Sequence, residues 1–238
     1  MILLVGLGNP GPQHQHHRHN VGFLAIDEIR RQHGFRAERS RFQGLLSEGT
    51  VITPSGSQKT FTLKPTTYMN ESGRSVGEAV RFYKIPVSDV IVLHDEVDLI
   101  PGKVRVKLGG GTAGHNGLRS LQAHLGPDFR RVRIGIGHPG HKEGVARYAL
   151  HDFTKAEKHW LDPLLNEVAK AIPLLVSGED SAFMNRVHLA TRPPEEKDPE
   201  TESKKTENQR RPRRFVDRVG DVTSRVTRVV KKIIPPKE

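Results

Sequence analysis

The chain of 238 residues contains no cysteine, which excludes disulfides, thiolate metal sites and a cysteine nucleophile. Nor does it hold an apolar run of 18 or more residues or a charged-then-apolar leader, so a soluble, cytoplasmic protein is expected. Aromatic residues make up only 5% and hydrophobic residues 34%, a low share that implies a stretch with little to bury. Two enzyme signatures are missing as well. No Gly-Lys-Ser/Thr follows a glycine run, as a nucleoside triphosphatase needs, and no G-x-S-x-G supplies a serine-esterase elbow. No internal repeat is visible.

What the chain has in excess is positive charge: 38 Lys and Arg against 27 Asp and Glu, a formal net charge of +11. That balance points to a polyanionic partner, either nucleic acid or an anionic membrane surface, and charge alone does not choose between them.

Over residues 1–190, short β-branched runs alternate with helical spacing. Strands are expected at Ile2 to Val5, Thr60 to Lys64, Val90 to Leu93, Val104 to Leu108 and Val132 to Ile136. Helices are expected around Phe23–Arg31, Val76–Tyr83, Leu118–Leu125 and Trp160–Ile172. The fold class is α/β, a single domain with a mixed, mostly parallel central sheet flanked by helices. A linker without core-forming residues follows over 191–212 and is expected to be disordered. Over 213–238, Phe215, Val219, Val222, Val226, Val229 and Ile233 recur every three to four residues, the spacing of a basic amphipathic helix.

In open α/β sheets, ligands gather beyond the carboxyl ends of strands. That rule selects Asn9 after the first strand, Met69 and Asn70 after "FTLKPTT", Asp95 after "VIVLH", and "GGGTAGHNG" after "VRVKL". "GLGNPG", Gly6 to Gly11, spells the dinucleotide fingerprint, but Pro10, Pro12 and the polar run behind them delay helical spacing until about Asn20. The acidic residue that should follow about twenty positions on would be Asp27 or Glu28, inside the first helix, so a nicotinamide or flavin site is not expected. The glycines of "GGGTAGHNG" either turn N–H groups toward an anion or form a tight strand-to-helix turn.

Four histidines, His14, His16, His17 and His19, lie within six positions. A metal cluster is one reading and solvated imidazoles the other. The adjacency of His16 and His17, with no H-E-x-x-H helix to complete a ligand set, favours the second for His14, His16 and His17. His19 differs, standing immediately before the helix onset. "HDEVD" clusters three carboxylates for magnesium or for acid/base work; Glu96 and Asp98 read equally well as an acidic loop. Asp95, directly after the buried run, is placed to orient an imidazole and favour its protonated form.

Six motifs, "VGLGNPG", "RHNVGF", "KPTTYMNESG", "HDEVDL", "GGGTAGHNGLRS" and "RVRIGIGHPG", stand in the order and at about the spacing of bacterial peptidyl-tRNA hydrolases, a resemblance covering roughly residues 1–190. It implies a monomeric α/β enzyme without metal or other cofactor, acting on the ester between a peptide and the 3′ end of tRNA. It makes His19 the base, Asp95 its orienting carboxylate, and Asn9, Asn70 and Asn116 the groups that place water and substrate backbone. Met69 and His115 become further walls of the crevice, and Lys107 and Arg133 a clamp on a terminal tRNA phosphate. The chain departs from the family where His14 replaces a common tyrosine and His17 a usual threonine. The chemistry suits these residue types, since an ester yields to a water deprotonated by neutral imidazole and asparagine amides can steady the oxyanion.

The alternative is a non-catalytic RNA-binding protein on the same fold, which would have no need of a base and its orienting partner. Between Arg210 and Lys237, ten Lys and Arg face only Asp217 and Asp221. That tail could contact tRNA, the ribosome, an anionic membrane surface or a partner helix, or be a solvated tag.

Overall fold

The computed structural model describes residues 1–191, so the linker expected over 191–212 and the amphipathic helix expected over 213–238 lie, Thr191 apart, outside the described residues. Seven strands form one sheet: β1 Ile2–Gly6, β2 Arg39–Arg41, β3 Gly44–Thr53, β4 Gly56–Pro65, β5 Val90–Glu96, β6 Val104–Leu108 and β7 Arg130–Gly135. Their spatial order is β2-β3-β4-β1-β5-β7-β6. The central β4-β1-β5-β7 pairings are parallel, and antiparallel strands complete both edges. The mixed α/β sheet expected from the sequence is therefore present.

Strand alternation divides the core into two layers. Ile2, Leu4, Ile91 and Leu93 pack beneath helices α1 (Val21–Gln32), α5 (Lys158–Val176) and α6 (Asp180–Thr191). Leu3, Val5, Val90 and Val92 pack beneath α2 (Ser72–Tyr83) and α3 (Asn116–Leu125) on the opposite face. A short helix α4 (Val145–Ala149) lies between β7 and α5 in sequence. No helix among the described residues is long and apolar enough to cross a membrane.

Strands β2 and β3 and helices α4 and α6 go beyond the sequence expectation, and β5 is longer than expected. The β2–β3 ribbon escaped notice because Leu46 and Ser47 are both buried, which breaks the alternation expected of a half-buried strand. Helix α6 buries only Phe183 and Val187, too few positions to mark a helical stripe. Strand β5 runs on through Glu96, so Glu96 is a buried strand residue and not part of an acidic loop.

Candidate active site

Strand β5 outruns its neighbour. Gly6, the last residue of β1, pairs with Leu93, and the Leu7 N–H donates to the Leu93 carbonyl, leaving Asp95 beyond the end of β1. The first turn of α1 closes tightly over this edge: a Cβ on Gly22 would collide with the Leu93 carbonyl oxygen and with Leu7, and one on Gly6 with the Gly22 backbone. The first glycine of "GLGNPG" thus admits a helix against the strand end, whereas in the dinucleotide fingerprint the first glycine serves a tight turn. A 3-10 turn, Arg18–Asn20, leads into α1 and carries His19 to the carboxylate. The His19 Nδ1–H donates to Asp95 Oδ1 at 2.8 Å, with the two side chains 14% and 4% exposed.

The same oxygen receives a second imidazole, His115 Nε2 at 3.1 Å. His115 is the N-cap of α3, and its Nδ1 accepts the N–H groups of Gly117 at 3.1 Å and Leu118 at 3.3 Å. An Nδ1 that accepts cannot carry hydrogen, so the helix cap fixes the hydrogen on Nε2, aimed at Asp95. The two rings lie 4.8 Å apart. His115, expected as a crevice wall, is thus a partner of the carboxylate itself.

Asparagine at position 9 is held from both sides. Asn20 Oδ1 accepts the Asn9 N–H at 2.9 Å and Asn20 Nδ2 donates to the Asn9 carbonyl at 3.0 Å, an amide standing in for a strand neighbour. The Asn9 side-chain oxygen accepts the Met69 N–H at 2.9 Å, which leaves its Nδ2–H₂ as the end available to a ligand. Met69 is buried with its sulfur against Gly117. Asn70 follows it, exposed, in the 3-10 turn Met69–Glu71, and Asn116 follows His115, exposed, with its Oδ1 receiving Arg119 at 3.2 Å. His19, Asp95 and His115 are joined by hydrogen bonds, Asn9 is joined to Met69, and Asn70 and Asn116 stand at exposed positions beside these groups.

Burial works against a charged His19, but the Asp95 charge and hydrogen bond outweigh it, so the imidazole pKa is raised above its ordinary value. Burial likewise favours a neutral Asp95, yet His19 and His115 hold its carboxyl well below the usual range. Among the described residues, the group of three potential metal ligands within 4.8 Å of one another is this same set, His19, Asp95 and His115. It fits a metal poorly. A metal on His115 Nε2 would need hydrogen on Nδ1, the atom already accepting two backbone N–H groups.

On the other face of the sheet, register places His94 beside Arg133 and Arg133 beside Arg105, with Arg131 beside Lys107. A cavity of about 230 Å³ is lined there by Lys107, Arg131, Arg133, His94 and Glu96 with the Gly111–Ala113 loop. Lys107 and Arg133 thus share one cavity. Arg133 is not a free cation, however, because its Nε donates to Glu96 at 2.8 Å. Arg131, buried, donates to the carbonyls of Gly110 and Gly111, so the glycine loop turns these carbonyls inward to an arginine. In the histidine cluster, His16 is exposed, His14 bonds through Nδ1 to the Pro10 carbonyl at 2.6 Å, and half-buried His17 faces Asp152 at 3.9 Å. His17 is therefore not a freely solvated imidazole.

Sequence reasoning passed over three supporting residues. Asn20 and Arg18 lie within the quoted "RHNVGF", but nothing local marks them as buried. Arg18 reaches 139 positions along the chain to Glu157, with two hydrogen bonds at 3.1 and 2.7 Å, and stacks over Tyr148 at 4.3 Å. Arg131 opens the quoted "RVRIGIGHPG" within β7, two positions before Arg133, and nothing local marks it as buried.

Comparison with known proteins bears on the family and the fold. The family model described as peptidyl-tRNA hydrolase matches residues 3–197. The peptidyl-tRNA hydrolase of Parvibaculum lavamentivorans is 59% identical over 205 residues, covering 86% of this chain and 98% of the relative. That of Methylorubrum populi is 59% identical over 190 residues, covering 80% and 89%. Among solved structures, the peptidyl-tRNA hydrolase of Acinetobacter baumannii superposes with a TM-score of 0.73 at 39% identity, covering 79% of this chain and 94% of that one. With the family model spanning most of its length and relatives this similar over nearly their whole length, the chain belongs to the peptidyl-tRNA hydrolase family.

Proposed function

We propose that the chain hydrolyses the ester between the peptide and the 3′ end of tRNA in peptidyl-tRNA, with His19 as general base. The observation that carries this reading is the 2.8 Å bond from His19 Nδ1–H to the buried Asp95 carboxylate, because it commits Nε2 to the role of acceptor. A water on Nε2 gives up a proton as its oxygen attacks the ester carbonyl carbon, and Asp95 steadies the imidazolium that forms. The tetrahedral oxyanion takes a hydrogen bond from Asn9 Nδ2, whose orientation the Met69 N–H supports. Collapse breaks the bond to the ribose oxygen, which recovers the proton from His19. The products are a free peptide acid and tRNA ending in a hydroxyl.

In this reading Met69, Asn70, His115 and Asn116 line the seat of the peptide and the terminal nucleotide. Asparagine amides donate to a peptide carbonyl and accept its N–H, which suits a substrate whose side chains vary. Lys107 meets a terminal phosphate of the tRNA, and Arg133, its Nε already given to Glu96, adds its remaining guanidinium nitrogens to that contact. The catalytic unit is 1–190, with 191–212 as a linker and 213–238 as a basic tail, and the enzyme acts as a cytoplasmic monomer. A binding module would gain nothing from a buried carboxylate aimed at an imidazole.

The test is hydrolysis of an N-acetylated aminoacyl-tRNA, with free aminoacyl-tRNA as control and EDTA present. The wild-type chain cleaves the blocked ester despite the chelator. His19→Ala lowers turnover by roughly two to four orders of magnitude, the range for losing a positioned base. A variant rate near wild type would remove His19 from the mechanism.

A further inference from the structure

Strand β5 leaves a backbone problem at the catalytic carboxylate. In a parallel ladder, alternate residues turn their N–H and C=O to opposite neighbours. The Leu93 carbonyl faces β1, where Leu7 donates to it, and the Glu96 carbonyl faces β7, where Ile136 donates to it. By that alternation the Asp95 carbonyl faces β1, but β1 ended at Gly6, opposite Leu93, so no strand donor remains for it. His94 fills the place, its Nδ1 standing 2.7 Å from the Asp95 carbonyl oxygen. A carbonyl can only accept, so Nδ1 carries the hydrogen. The His94 ring is fully buried and stands edge-on to the His115 ring, with centroids 5.1 Å apart at 83°. His115 in turn donates to the Asp95 side chain.

We infer that His94 is a positioning residue for the proposed reaction: its Nδ1–H replaces the missing ladder donor, and its ring backs His115, so that both the main chain and the side chain of Asp95 are held toward His19. The inference rests on the hydrolase reading above. His94 does this without adding charge. Burial first, and then neighbouring His115, push its pKa down to about 3, against the opposing pull of Asp95, while Arg131 on β7 lowers it further. The charged and titratable groups around it are Asp95 and Glu96 on its own strand, His115 at the start of α3, Arg131 and Arg133 on the adjacent β7, and Lys107 on β6. A neutral His94 ring adds no further cation to compete for the carboxylate that His19 and His115 share.

Two substitutions of similar polarity separate the nitrogen atoms. In His94→Asn the amide nitrogen stands close to where Nδ1 stood, whereas in His94→Gln it reaches the region of Nε2. With N-acetylated aminoacyl-tRNA as substrate, His94→Asn keeps kcat within about threefold of wild type, and His94→Gln loses about tenfold in kcat with KM unchanged, the effect of one misplaced hydrogen bond. The acid limb of kcat/KM against pH stays in place for Asn and moves to lower pH for Gln, because a wandering Asp95 supports a charged His19 less. Equal loss in both variants, or full activity of Gln, would overturn the assignment. Melting curves confirm that both proteins are folded, and the wild-type assay run alongside reads the hydrolase reading separately, since it fails only if the wild-type chain leaves the ester intact.

Discussion

A single oxygen, Asp95 Oδ1, accepts from both His19 and His115, and the two imidazoles have different duties because their other nitrogens are engaged differently. His115 spends Nδ1 on the first turn of α3, while His19 keeps Nε2 free of protein partners among the described residues. The raised His19 pKa has a direct consequence for rate. The base must be unprotonated, so kcat/KM falls as pH drops through that pKa, and the midpoint lies above the ordinary value of 6.5. Replacing Asp95 by Asn removes the charge that raises it and leaves the burial that lowers it, so the midpoint moves to lower pH, below 6.5. The loss of rate at high pH should be smaller than in His19→Ala. A pH–rate profile of both proteins checks this, and a midpoint unmoved by Asp95→Asn would remove the carboxylate from the tuning of the base.

At the scale of elements, the loop carrying His19 is tied to the start of α5. Thr154 and Glu157 form a capping box: the Glu157 N–H donates to Thr154 Oγ1, and the Thr154 N–H donates back to the Glu157 carboxylate at 2.7 Å. Arg18 adds its guanidinium to that carboxylate and to the carbonyls of Tyr148 and His151. Hydrogen bonds to a charged group contribute about 1.5–3 kcal/mol. Arg18→Ala is therefore expected to lose stability of that order in urea unfolding, and to lower kcat because His19 is the next residue. A kcat equal to wild type would show that His19 is aimed by Asp95 alone. The far end of α1 is tied in a comparable way. Pro173 inside α5 has no N–H for the Ala169 carbonyl four residues back, and His33, just past α1, stands there with Nε2 at 2.8 Å. Neither tie is legible in the sequence, since each joins residues more than 130 positions apart.

For the whole molecule, the net charge of +11 includes a tail that carries ten Lys and Arg against two Asp between Arg210 and Lys237. If those charges meet tRNA phosphates, each phosphate that the tail no longer neutralises should flatten the slope of log affinity against log salt by roughly 0.7 to 0.9. Truncation after Pro193 leaves α6 whole and is expected to preserve kcat on the blocked substrate while flattening that slope, measured by tRNA binding between low and physiological salt. A slope identical to that of the full chain would assign the tail to a membrane surface or a protein partner.

The sequence by itself determined the fold class, the central strands and four of the helices, because each of these elements repeats its apolar residues at its own period. It also singled out His19 and Asp95, one at a helix onset and one at the end of a buried run, where an α/β sheet exposes its strand ends. The tertiary structure alone decided which nitrogen of each imidazole carries hydrogen, that His115 and not only His19 serves Asp95, that Arg133 is paired with Glu96, and that His94 completes the ladder β1 leaves unfinished. The physical reason is that a hydrogen bond's direction depends on where the partner stands. These partners come from strands and turns that only the register of the folded sheet brings within 3 Å or so of one another.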